Sequence, residues 1–217
     1  MPNLKVFPPG AGVNDAGHLV IAGCDAVALA QEHGTPLYVF DETAVRARCA
    51  EFLKEFRARA PETSVLYACK AFTNLAMLKL VAEEGLGLDV VSGGEIEYAR
   101  AAGFPMDRVS FAGNNKSAAE LELALEAGVG TIVVDNLLEL LMLREMARGR
   151  SADILLRLTP GVDPSTHHYN TTGTADSKFG MPRPLWDEAV RTAVEAEELN
   201  LLGLHFHLGS GLYEVEP

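Results

Sequence analysis

Short apolar or β-branched runs recur along this chain at nearly constant spacing, each followed by a helical pattern. Counted from the first strand-like residue, the units begin at Ser64, Leu86, Arg108, Thr131, Asp153 and Asn200, at intervals of 22, 22, 23, 22 and 47 residues. The runs cover residues 65–68, 88–91, 109–112, 132–134, 154–158 and 201–206. Strands that alternate with helices at so short a spacing specify βα units and a parallel sheet. The regularity favours a barrel over an open sheet with varied crossovers. The expected fold is therefore α/β, a (β/α)8 TIM-type barrel with about six of its eight βα units present. With six strands, the chain reads as a truncated barrel or as a sheet closed in some other way.

Local signals agree with this division. Ser92-Gly93-Gly94-Glu95 and Ser117-Ala118-Ala119-Glu120 have the capping-box spacing, and Asn136 with Glu139 repeats it with an amide cap. Gly85, Gly103 and Gly128 stand where helices should end. An earlier helix is expected over 43–57, with Val45, Cys49, Phe52, Leu53 and Phe56 on one face, and a later one over 184–198. Residues 1–35 precede the repeat and carry a weak strand signal at Leu19-Val20-Ile21. The long fifth interval holds a polar, aperiodic stretch, 163–173, of the kind that is functional or disordered in compact domains.

Composition narrows the function classes. A chain of 217 residues with 48% hydrophobic and 22% charged residues suits a soluble globular protein with a sizeable core. Its formal net charge of −12 would repel a phosphate backbone, so no nucleic-acid partner is expected. No apolar run approaches the ~20 residues of a membrane helix, and no signal peptide is evident. The three cysteines, Cys24, Cys49 and Cys69, fit no zinc pattern and read as reduced thiols of a cytoplasmic protein.

In a parallel barrel, chemistry sits at the C-terminal ends of the strands. Those ends supply Lys70, Ser92, Asn114, Asn115, Asp135, Asn136, Arg157, Thr159 and 207–211. A lysine ending an apolar strand is expected to be poorly solvated and so nucleophilic toward a carbonyl. The turn Gly209-Ser210-Gly211 can offer backbone N–H groups and a hydroxyl to a phosphate. Together they suit an aldehyde cofactor that bears a phosphate. Each feature also has a plainer reading, as a solvated edge charge or an ordinary turn, and His205 or His207 can simply pack in the core. A metal site from His167, His168, His205 and His207 lacks an acidic partner in register, so no metal is expected. Asp89 falls mid-strand, where it needs a partner such as Lys70 or Arg157, or solvent.

These residues lie within a longer series of motifs. They are Thr35-Pro36-Leu37-Tyr38-Val39-Phe40-Asp41, Tyr67-Ala68-Cys69-Lys70-Ala71 and Gly87-Leu88-Asp89-Val90-Val91-Ser92-Gly93-Gly94-Glu95. Thr166-His167-His168-Tyr169, Thr172-Gly173, Ser177-Lys178-Phe179-Gly180 and His205-Phe206-His207-Leu208-Gly209-Ser210 follow. In this order and spacing the chain resembles the pyridoxal-phosphate decarboxylases of the alanine-racemase fold type. It is most similar to the branch acting on meso-2,6-diaminopimelate, and less so to those acting on ornithine, arginine or a carboxy-polyamine. The resemblance implies pyridoxal 5'-phosphate as cofactor and an amino-acid substrate, decarboxylated to L-lysine in the diaminopimelate branch. It places the Schiff-base lysine on Lys70, its neighbouring carboxylate on Asp89 and the arginine of the fifth strand on Arg157. The histidine stacked on the pyridine ring falls on His207, and the phosphate-contacting serine on Ser210, between Gly209 and Gly211. The catalytic pair implied is Lys70 and His207.

The resemblance also implies what this sequence does not show. The family's later glycine-rich phosphate loop, the glutamate at the pyridine nitrogen and the C-terminal β-rich domain have no counterpart here. Residues 1–35 are expected to join that second domain, and 36–217 to form an incomplete pyridoxal-phosphate-binding barrel. The whole protein is expected to be a homodimer, and these 217 residues alone an inactive N-terminal fragment. A non-catalytic pyridoxal-phosphate-binding barrel is the reading from a different class.

Overall fold

The computed structural model describes residues 4–162 and 178–210. They form two compact units, 1–65 and 66–217. In the first unit, β1 (Gly12–Val13), β2 (Leu19–Ile21) and β3 (Cys24–Asp25) make an antiparallel sheet in the order β1-β2-β3. The weak strand signal at Leu19-Val20-Ile21 thus corresponds to the middle strand of a small sheet built within residues 1–35. The reason is local. Ala22 and Gly23, both at positive φ (50° and 79°), form a two-residue turn of the sense that matches strand twist. Asp25 then ends the sheet and starts α1 (Ala26–His33). One of its oxygens accepts the N–H groups of Val27 and Ala28, at 2.8 and 3.1 Å, while the other meets Asn14 and His18, at 2.8 and 2.9 Å. The His18 contact, above all, holds this carboxyl down at about 2.

Helix α2 (Glu42–Arg57) starts at Asp41, whose carboxylate accepts the Ala44 N–H at 3.0 Å. The apolar face expected there is only partly buried. Cys49 is enclosed, but Phe52 and Phe56 are each 53% exposed and stack on one another with centroids 6.3 Å apart.

The second unit is the repeat made visible. Six parallel strands lie in sequence order: β4 (Leu66–Ala68), β5 (Gly87–Val90), β6 (Val109–Phe111), β7 (Thr131–Val134), β8 (Ala152–Arg157) and β9 (Leu199–His205). Between them run α3 (Leu75–Glu83), α4 (Gly93–Ala101), α5 (Ala118–Ala127), α6 (Leu137–Met146) and α7 (Trp186–Glu195). Every strand expected from the spacing is present. The core combines fully buried strand residues (Leu88, Phe111, Ile154, Leu156) with helix residues (Leu78, Ile96, Leu121, Leu140). Burial of each such side chain contributes about 1.5–3 kcal/mol.

The helix starts behave largely as the spacing predicts. Ser92, Ser117 and Asn136 each cap through a side-chain oxygen. Only Ser117 and Glu120 form the full reciprocal box. Glu95 and Glu139 reach one residue further back, to the N–H groups of Val91 (2.6 Å) and Asp135 (3.3 Å). Glu120 also accepts the Gly93 N–H at 2.9 Å, so one carboxylate caps two neighbouring helices. Gly130 lies so close to the backbone of Asp107 that an added Cβ would fall 2.0 Å from its carbonyl oxygen.

Candidate active site

An open cavity of about 790 Å³ lies at the C-terminal ends of these strands, where a parallel barrel places its chemistry. Its wall includes Lys70, Asp89, Asn114, Asn115, Arg157, Phe179, His205, His207 and Ser210. Five of the expected site residues (Lys70, Asp89, Arg157, His207 and Ser210) are thus brought to one mouth. Gly209 adjoins them at φ 151°, a backbone conformation that favours glycine. Gly211 lies outside the described residues, as do His167, His168 and the motifs between 166 and 177.

Lys70 corrects one expectation. It does not end a strand in apolar surroundings; it sits on a 3₁₀ turn, Cys69–Ala71, just past β4, and is exposed. The buried neighbour is Cys69, fully enclosed, whose thiol burial pushes up to about 12. The turn aims Lys70 into open space at the mouth. Asp89, on β5, is half-buried. Burial raises its pKa, Lys70 and Arg157 oppose that rise, and Glu95 adds to it. Both partners anticipated for this carboxylate are therefore close enough to act on it.

Arg157 ends β8 and is 7% exposed. Its guanidinium lies over the Phe179 ring, 4.5 Å from the centroid, and its Nη1 is 3.4 Å from Oδ1 of buried Asp135. Burial disfavours its charge, while Asp135 and Asp89 support it. The segment carrying Phe179 is tied to β8 by backbone. Met181 N–H donates to the Arg157 carbonyl at 2.8 Å, Thr159 N–H to the Met181 carbonyl at 2.9 Å, and Thr159 Oγ1 to the Phe179 carbonyl at 2.6 Å. Gly180 permits this approach: at φ 75°, its Cβ would lie 2.9 Å from Thr159 Oγ1.

A bulge sets what faces Arg157. Ile154 pairs with Leu201 but Leu155 with Gly203, so Leu202 is an extra residue in β9. Without it, Leu204 would stand opposite Arg157; with it, His205 does. Burial, then Arg157, His207 and Lys116, push His205 down to about 4, so at neutral pH the ring is uncharged. Its Nδ1 is buried with no hydrogen-bond partner among the described residues. His207 is shifted down too, by burial first and then by Arg157 and Lys70.

Sequence reasoning missed a buried cluster behind this wall. Lys116, whose side chain is 1% exposed, pairs with Glu139 at 2.7 Å, and Glu139 in turn holds the Asp135 backbone. Lys116 follows Asn114 and Asn115 with no apolar context, and Glu139 is accounted for as a cap residue, so neither signals burial. Across the cavity, an amine, a guanidinium, two imidazoles, a hydroxyl and two amides stand against few carboxylates. The unpartnered His205 nitrogen lies in the same wall. This donor set fits a small anionic group bearing a reactive carbonyl, and pyridoxal phosphate is such a group.

Comparison with known proteins agrees. A family model described as the pyridoxal-binding domain of pyridoxal-dependent decarboxylases matches residues 42–217. Diaminopimelate decarboxylase of Bacillus subtilis strain 168 is 48% identical over 206 residues, covering 93% of this chain and 47% of that protein. The crystal structure of diaminopimelate decarboxylase from M. jannaschii in co-complex with L-lysine superposes with a TM-score of 0.83 at 34% identity, covering 94% of this chain and 49% of that one. That of the Helicobacter pylori enzyme complexed with L-lysine gives 0.80 at 35% identity, covering 89% and 49%. The chain spans about half the length of the relatives it matches.

Proposed function

The chain belongs to the pyridoxal-dependent decarboxylases, carrying their pyridoxal-binding domain, and from that we propose that its protein decarboxylates meso-2,6-diaminopimelate to L-lysine. The observation that carries this reading is the cavity, which gathers Lys70, Asp89, Arg157 and His207 in a chain whose relatives are diaminopimelate decarboxylases. Bound through its aldehyde, pyridoxal phosphate supplies an electron sink for the pair left behind when carbon dioxide departs.

The remaining work falls to the chain's own groups. Lys70, exposed on its turn, offers the amine that holds the cofactor covalently. When not bound to the cofactor, its Nζ could move a proton to or from the reacting carbon. Asp89, whose carboxyl feels the Lys70 charge, would orient that amine. His207, whose imidazole is biased toward the neutral form, would pack against the cofactor ring. Arg157, fixed by Phe179 and Asp135, supplies constant positive charge at the wall. Gly209, Ser210 and Gly211 hold the phosphate. On this reading Lys70 and His207 are the catalytic residues.

We further assign residues 1–35 to a junction with a second, β-rich domain and 36–217 to the barrel. Among the described residues no helix is long and apolar enough to cross a membrane. We place the protein in the cytoplasm and expect the native form to be a homodimer. The test of function is carbon dioxide release by the native protein from meso-diaminopimelate, ornithine and arginine. Diaminopimelate should be preferred by at least ~100-fold, a gap of about 3 kcal/mol in transition-state binding. A preference for ornithine or arginine overturns the substrate assignment.

A further inference from the structure

One buried charged cluster has no part in the function proposed above. The Lys116 ammonium donates to the Gly113 carbonyl at 2.7 Å and the Val133 carbonyl at 2.8 Å, and forms an ion pair with Glu139 Oε1 at 2.7 Å. Lys116 is absent from the cavity wall, but its partners lead there. Gly113 itself lines the cavity, as do Asn114 and Asn115. The other oxygen of Glu139 accepts the Asp135 N–H at 3.3 Å. The Asp135 carboxylate takes the Gly180 N–H and faces Arg157 at 3.4 Å. The path from Lys116 to Arg157 thus runs through Glu139 and Asp135, one contact per step.

We propose that Lys116 is a positioning residue: through Glu139 and Asp135 it sets where the Arg157 guanidinium stands in the cavity. A buried ion pair is a poor device for stability alone, since an apolar pair of the same volume does as well or better. It is a good device for orientation, because each oxygen of Glu139 has one fixed job and neither can turn to water. Arg157 is stacked on the Phe179 ring and meets Asp135 through Nη1 at 3.4 Å, so a shift of the Asp135 carboxylate acts on it directly. Without the Lys116 charge, buried Glu139 takes a proton or turns away. The Asp135 backbone is released, and Arg157 follows its carboxylate. A displacement of about 1 Å there is enough to cost on the order of 100-fold in rate.

This inference rests on the reading of the cavity as the cofactor site, and the experiment separates the two. In the native full-length protein, Lys116→Met, Arg157→Lys and the double variant are compared with the parent. For each, the pyridoxal phosphate dissociation constant is measured by absorbance titration, and kcat and KM are measured alongside. Lys116→Met is expected to weaken cofactor binding about 10-fold and kcat/KM about 10- to 100-fold in the parent. In the Arg157→Lys background its effect should shrink to less than about 3-fold, since the group it positions is already altered. Equal fold-losses in both backgrounds, or no loss in either, overturn the positioning role. If Lys116→Met does not fold, Lys116→Met with Glu139→Gln, which removes both charges together, takes its place under the same criteria. Failure of that pair to fold also overturns the proposal, because the cluster is then needed by the fold and not by Arg157. A parent that takes up no pyridoxal phosphate at Lys70 overturns the cofactor reading instead.

Discussion

His205 and Arg157 face one another across β8 and β9, and the pair makes an acid-labile point in the fold. The folded His205 pKa, about 4, lies below the ordinary value of 6.5, so between those values the unfolded chain binds the proton and the folded chain does not. The stability linked to this residue is therefore complete above about pH 6.5 and is lost as pH falls toward 4. Partial solvent screening limits the loss to on the order of 2 kcal/mol. Denaturant midpoints should fall more steeply with acid in the parent than in His205→Gln; parallel curves would contradict this. Asp89, Asp135 and Glu139, all shifted up chiefly by burial, act in the opposite direction in both proteins. Thiol chemistry gives a second residue-level expectation. Iodoacetamide should label exposed Cys24 in the native protein and leave Cys69, enclosed and pushed up to about 12, unlabelled. A third concerns Gly180, where Ala would bring both a positive φ and a Cβ within 3.1 Å of the Arg157 carbonyl oxygen. Gly180→Ala should cost about 1–3 kcal/mol in denaturant unfolding and weaken cofactor binding. The strand-end rule singled out Lys70, Arg157 and His207 from sequence, because each follows or lies in a recognisable apolar run, whereas Asp89, mid-strand, stood out by its need for a partner. Lys116 and Glu139 escaped it, because their partners come from separate βα units and leave no local pattern.

Among the elements, strands and helix starts were legible because both are written in neighbouring residues: apolar runs, Ser or Asn caps, and glutamates three positions on. What joins one element to the next was not. Glu120 serves the starts of α4 and α5 at once, which its own capping box does not reveal. The Gly93 N–H, above all, holds its carboxyl below the usual carboxylate range, so this tie is intact above about pH 4.5 and weakens as pH falls through the lowered folded value. Glu120→Ala should destabilise by about 1–2 kcal/mol, measured by urea unfolding, because two helix starts lose an acceptor together. A loss no greater than that of Ser117→Ala would mean that the Gly93 contact contributes nothing. The bulge at Leu202 was equally hidden, since register is a relation between strands. It decides that His205 and not Leu204 stands against Arg157.

For the molecule as a whole, the spacing of six βα units foretold the sheet order, and the net charge of −12 restricted the classes of partner. It did not foretell that the N-terminal residues make a sheet of their own. Among the described residues the parallel sheet is open, with β4 and β9 at its edges, and Leu202, Leu204 and Phe206 are each more than half exposed. These 217 residues alone should therefore bind pyridoxal phosphate weakly and release no carbon dioxide from diaminopimelate. Turnover by this chain alone would contradict that expectation. The central claim is that the mouth of the sheet is a pyridoxal phosphate site built on Lys70. It is tested most directly by reducing the cofactor-loaded native protein with borohydride and mapping the modified peptide by mass spectrometry. The adduct should lie on Lys70, in Tyr67-Ala68-Cys69-Lys70-Ala71, and be lost in Lys70→Ala. An adduct on another lysine, or none, would contradict it.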